Sequence, residues 1–190
     1  MPRKPVTTRE DVVEGAFQLI RSEGMEALTA RNLARRLGCS TQPVMYHFPE
    51  LSALWEAAYL HADRYHTEYL FAGRDLMQIG LRYIRFAAEE PNLFRFLFQS
   101  GRFAGISLRD MIDAPEAAEL MRVVAAQTGL APGEAAAFFE PLYAAVHGYA
   151  SLIANNAMRF DTASIEMSLR SIALGLLREG GHHDEAVQEE

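Results

Sequence analysis

The chain has 190 residues, of which 49% are apolar, which is enough for a packed core and excludes wholesale disorder. Its net charge of −7 argues against nucleic-acid binding until the charge is divided: residues 1–48 carry +2 and the remainder −9. Phosphate attraction acts within a Debye length, so the local balance matters more than the total. The single cysteine, Cys39, excludes an intrachain disulfide.

Strand signals are nearly absent, and the expected fold class is all-α. A first helix is predicted to start near Thr7 or Thr8, with Thr7 and Glu10 spaced as a capping box. Val13, Phe17 and Ile20 fall on one face, and Gly24 ends the helix. Thr29 caps a second helix whose inner face is Leu33, Ala34 and Leu37 and which ends at Gly38. Ser40 is the next cap, and a short third helix runs from Gln42 to Phe48, with Pro43 tolerated in its first turn. Longer helices are expected at about 50–70, 75–90, 92–99, 115–128, 132–157 and 162–179. Pro141 should kink or split the fifth of these, and Gly101 and Gly105 mark a loop.

Residues 30–49 meet three requirements of a helix-turn-helix. Ala34 is small enough for close helix approach, Gly38 suits a turn needing positive φ, and Val44 returns the third helix onto the second. The alternative is an ordinary helical corner. The segment Thr29-Ala30-Arg31-Asn32-Leu33-Ala34-Arg35-Arg36-Leu37-Gly38-Cys39-Ser40, closing on His47-Phe48, resembles the tetracycline-repressor-like (TetR) family of bacterial regulators. The resemblance covers about residues 8–60. A second patch, Tyr83 to Ala87 through Pro91 to Phe94, with Tyr143 and His147-Gly148, resembles the subgroup whose C-terminal domain carries an aromatic-x-x-x-His-Gly signature, usually with Trp where Tyr143 stands. Two positions depart from the family pattern. Met45 stands where the family commonly has Tyr, and Leu51 where it often has Lys. Arg3 and Lys4, on an N-terminal arm, are the residues available to supply the missing phosphate contact.

A recognition helix reads base edges from its N-terminal end. Thr41, Gln42 and Pro43 are therefore the expected base-contacting residues, with Gln42 able to pair with adenine. Thr29, Arg31, Ser40, Tyr46 and His47 are the expected phosphate anchors, and Val44 and Phe48 are core. Arg35 and Arg36 are adjacent and so point to different faces. Cys39 is read as a small residue of the turn rather than a redox switch.

The expected organisation is a helix-turn-helix DNA-binding domain at 1–49, a helical effector-binding and dimerisation domain at 50–180, and a disordered tail at 181–190. Phe86, Phe98, Phe139, Tyr143 and His147 are the candidate effector-binding residues; His147 either lines that pocket or is a core histidine bonded to a backbone carbonyl. The histidines show no metal-ligand spacing, and neither a metal nor a cofactor is expected. Nor is enzymatic activity, since no nucleophile elbow or phosphate-binding glycine loop is present. The family resemblance implies a homodimer through the last two long helices, double-stranded operator DNA as partner, and a small-molecule effector. The absence of a leader and of any eighteen-residue apolar run leads to the expectation of a cytoplasmic protein without a membrane partner. The competing reading is a helical small-molecule-binding or carrier protein without operator function.

Overall fold

A computed structural model describes residues 7–156 and 158–187, with side chains described through Arg178. Among the described residues ten α-helices appear in the order α1 (Arg9–Glu23), α2 (Ala30–Arg36), α3 (Thr41–His47), α4 (Leu51–Phe71), α5 (Leu76–Glu89), α6 (Pro91–Phe98), α7 (Leu108–Ile112), α8 (Ala118–Thr128), α9 (Pro132–Asn156) and α10 (Thr162–Val187). No strand occurs among the described residues, so the fold is all-α.

The chain divides into two compact units: residues 1–68 with 90–102, and residues 69–89 with 103–190. Packing thus places most of α4 and all of α6 with the first three helices. In this first unit, Val12, Ala16, Phe17, Leu19 and Ile20 of α1 meet a core completed by Leu33, Val44, Phe48, Leu54, Leu93, Phe94 and Leu97. Gly15 sets the separation of α1 and α2. A Cβ there would lie 2.8 Å from Leu37 Cδ2 and 3.0 Å from Leu33 Cδ1, so a larger residue requires those leucine side chains to shift. Arg21 of α1 grips Glu90 in a two-pronged ion pair, Nε to Oε2 at 2.8 Å, and Asn92 Nδ2 donates to the Arg21 carbonyl at 3.1 Å. A second such pair joins Arg102 to Glu56, with the Arg102 guanidinium 4.0 Å from the Tyr59 ring centre.

In the second unit α5 lies along α9, and α10 packs on both. Ile79, Tyr83, Ile84, Phe86 and Ala87 of α5 are buried, as are Phe138, Leu142, Val146 and Ile153 of α9 and Ile165 and Leu169 of α10.

Several local expectations are corrected. The capping box of α1 is Thr8 with Asp11, one residue later than Thr7 with Glu10. Both pairs have the same spacing; the phase that buries Val12 and Ala16 selects the later one. Pro141 does not split α9, which runs unbroken over 25 residues. The proline lacks an N–H to give the Ala137 carbonyl, and Ala137 is exposed, so water can satisfy it. Helix α7 was not anticipated; its start is a capping box of Ser107 and Asp110. A 3₁₀ turn, Pro115–Ala117, precedes α8. Helix α10 continues through Gly180-Gly181 to Val187. A glycine weakens a helix by about 1 kcal/mol but does not sterically forbid it. Residues 188–190 of the expected tail lie outside the described residues.

Candidate nucleic-acid interface

The helix-turn-helix is assembled from local hydrogen bonds. Thr29 caps α2, its hydroxyl accepting the Asn32 N–H at 3.1 Å, while Asn32 Nδ2 donates to the Ala27 carbonyl at 2.9 Å. At the other end Gly38 takes φ +64, the left-handed region. Its N–H reaches the Arg35 carbonyl at 3.2 Å, and the Cys39 N–H reaches the Ala34 carbonyl at 3.0 Å. This pair of bonds is the Schellman closure, and it turns the chain sharply into α3. No Cβ neighbour crowds Gly38, so glycine is needed there for its backbone alone.

Helix α3 begins at Ser40, which has cap backbone angles but makes no side-chain cap bond. Its hydroxyl is therefore not committed to the helix. Inward, Val44 and Phe48 are buried one turn apart, and Arg9 lies over the Phe48 ring at 4.6 Å. Pro43 and His47, also one turn apart, form a half-buried flank. Thr41, Gln42, Met45 and Tyr46 remain and face outward, Tyr46 being 80% exposed. Gln42 and Tyr46 are four residues apart and share one face.

Among the expected phosphate anchors, Arg31 is exposed and has no hydrogen-bond or ion-pair partner among the described residues. Arg35 and Arg36 are partly engaged, with Asn32 Oδ1 at 3.2 Å and Ser22 Oγ at 3.3 Å. His47 is differently placed. Its Nε2 lies 2.9 Å from the Thr7 carbonyl, so that nitrogen ties α3 to the start of α1. Because the carbonyl only accepts, Nε2 carries the hydrogen, and Nδ1 can donate to a phosphate only in the imidazolium form. The arm bearing Arg3 and Lys4 lies outside the described residues. Met45 on the outward face was not singled out as a contact; its exposure follows from the burial of Val44 next to it.

The candidate effector residues divide between the two units. Phe98 belongs to the first unit, where its ring meets His66 at 5.1 Å and Phe94 at 5.1 Å. Phe86, Phe139, Tyr143 and His147 belong to the second. Phe86 is wholly buried with its ring edge-on to Tyr69. Phe139, Tyr143 and His147 recur every four residues along α9 and form a ladder, with successive ring centres 5.8 Å apart. Tyr83 of α5 completes it. Its hydroxyl lies 2.8 Å from His147 Nδ1 and 3.3 Å from the Tyr143 hydroxyl. His147 Nδ1 is therefore bonded to a phenol. Burial holds His147 below its ordinary pKa, and burial raises that of Tyr143 against the opposing Tyr83 hydrogen bond. Both shifts favour the neutral forms of His147 and Tyr143. A separate half-open cavity of about 340 Å³ lies between α7, α8 and the start of α9, lined by Ile112, Ala114, Met121, Ala125 and Ala136 among others. No cluster of three or more potential metal ligands occurs among the described residues, and no helix among them is long and apolar enough to cross a membrane.

A helix-turn-helix with an outward polar face, joined to a helical bundle, defines the class: a transcriptional regulator. The family model described as "Tetracyclin repressor-like, C-terminal domain" matches residues 76–176, more than half of the chain. The chain belongs to the tetracycline-repressor-like family of transcriptional regulators. The fold is similar to the crystal structure of a TetR transcriptional regulator from Rhodococcus sp. RHA1, with TM-score 0.51 at 18% identity over 89% of this chain and 94% of that one. Among curated proteins none matches the sequence.

Proposed function

We propose that this regulator is a homodimeric repressor that reads a roughly palindromic operator with α3 and releases it when a small molecule binds the second unit. The observation that carries the reading is the division of α3: Val44 and Phe48 inward, Thr41, Gln42 and Tyr46 outward. In this reading Gln42 and Thr41 contact bases, Pro43 flanks them, and Thr29, Arg31, Ser40, Tyr46 and His47 position the module on phosphates.

Dimerisation is supported by the apolar side chains that α9 and α10 leave in water. Leu152, Met167, Leu174 and Leu177 are all exposed, and nothing lies within 4 Å of a Cβ built on Gly148 or Gly175. A second copy seated there would cover those side chains and approach closely at the glycines. Two copies of α3 would then enter major grooves about 34 Å apart. The effector would meet the ladder of Phe139, Tyr143 and His147, with Phe86 in the same unit. Helix α4, continuous from Leu51 to Phe71, is one covalent route from that unit to the DNA module. A coupling of about 1–3 kcal/mol gives release of roughly 5- to 150-fold. Location in the cytoplasm accords with this role.

Selection from a randomised duplex library, followed by affinity measurement across salt concentrations, tests the reading. Gln42→Ala should lose about 1–3 kcal/mol at one base position, whereas Arg31→Ala should weaken all duplexes alike and lower the salt slope by about 1. Equal losses on every sequence from both variants would refute these roles. Recovery of no preferred duplex would refute operator binding.

A further inference from the structure

We propose that Met45 is a specificity-determining residue that reads the C5-methyl group of an operator thymine. The inference rests on the reading of α3 as the recognition helix.

Met45 is 43% exposed beside Val44, which is 1% exposed, so the helix turns a large apolar side chain outward while burying its neighbour. Leu33 and Phe48 of the same module are buried as well, which shows that the module has an inside to hide such groups in. Apolar surface left in water is unfavourable, and the cost is recovered only when something covers it. The position sets what that something is. Met45 lies one turn beyond Thr41 and three residues beyond Gln42, on the outward face those two residues share. A Cα–Cβ bond in a helix tilts toward the helix N-terminus, so the Met45 side chain leans toward the end that carries Thr41 and Gln42.

The chemistry then narrows the role. A thioether has no donor and is a weak acceptor, so Met45 cannot hold a phosphate oxygen as a hydroxyl or guanidinium does. The major groove presents hydrogen-bonding groups at every base pair and one apolar group, the thymine methyl. A flexible, polarizable side chain with three rotatable bonds suits contact with that methyl. The thymine should lie next to the base pair read by Gln42.

The test uses the full chain and the duplex it selects from a randomised library. Each thymine is replaced singly by deoxyuridine, which removes the C5-methyl and nothing else. One position per half-site should weaken wild-type binding about fourfold, which at 1.4 kcal/mol per tenfold corresponds to the ~0.8 kcal/mol expected for burying one methyl-sized group. Met45→Ala should bind the thymine and uracil duplexes equally at that position while keeping the base preference set by Gln42, and Met45→Leu should retain part of the methyl dependence. A uracil penalty that persists unchanged in Met45→Ala overturns the inference and leaves operator binding intact. Absence of any selected duplex overturns the operator reading, and this inference with it.

Discussion

The helix-turn-helix and the α5–α9 cluster treat their polar side chains in opposite ways. In the first, α3 leaves Thr41, Gln42 and Tyr46 in solvent, and Arg31 has no partner among the described residues. In the second, Tyr83, Tyr143 and His147 from α5 and α9 are bonded to one another and largely withdrawn from water. A surface that meets a large polyanion keeps its donors available, because the partner will satisfy them. A small-molecule site or core satisfies its polar groups internally, since unpaired groups there are costly. His147 is held by a phenol hydroxyl, whereas His66 in the first unit sits deep in an aromatic environment beside Phe98.

That contrast can be broken most visibly at His66. Burial pushes its pKa down from 6.5 to about 3. A folded pKa below the unfolded one means that the unfolded chain takes up the proton first. The stability is complete above pH 6.5 and is lost as pH falls from there toward about 3, at up to roughly 1.4 kcal/mol per pH unit. Denaturant titrations should therefore show a loss of about 2 kcal/mol from this group between pH 7 and 5. His66→Phe should flatten the curve; an unchanged acid limb would show that other groups govern it.

A comparable effect is expected in the second unit. Tyr83→Phe removes the hydroxyl shared by Tyr143 and His147 and should cost about 1–3 kcal/mol in unfolding free energy. The variant should leave the salt slope of DNA binding untouched, because Tyr83 is not on α3. A change in that slope would mean that the two units are not chemically separate. The smallest effect concerns the turn. Gly38→Ala meets no steric neighbour, so its cost is the backbone strain of φ +64, about 1–2 kcal/mol. Asn at the same position should recover part of it, measured by thermal unfolding of both variants. Equal stability of the Ala variant and the wild type would show that the turn relaxes.

Tertiary packing altered the reading most where the sequence signals were degenerate. Thr7 with Glu10 and Thr8 with Asp11 are equally good capping boxes on paper, and only the burial phase of Val12 and Ala16 separates them. Helix α7 has five residues, too few for a periodic signal. Phe98 was grouped with Phe139 and Tyr143 by residue type, yet it packs in the other unit.

The sequence by itself determined the helix-turn-helix, since its requirements are local. A small residue at Ala34, a positive-φ glycine at Gly38, a cap at Thr29 and an inward Val44 all act within sixteen residues of one another. Only the tertiary structure decided which rings pack together. Tyr83 and His147 are 64 residues apart, and their 2.8 Å contact depends on α5 lying against α9. Residue type and local periodicity carry no information about that pairing, which is fixed by how whole helices bury their faces.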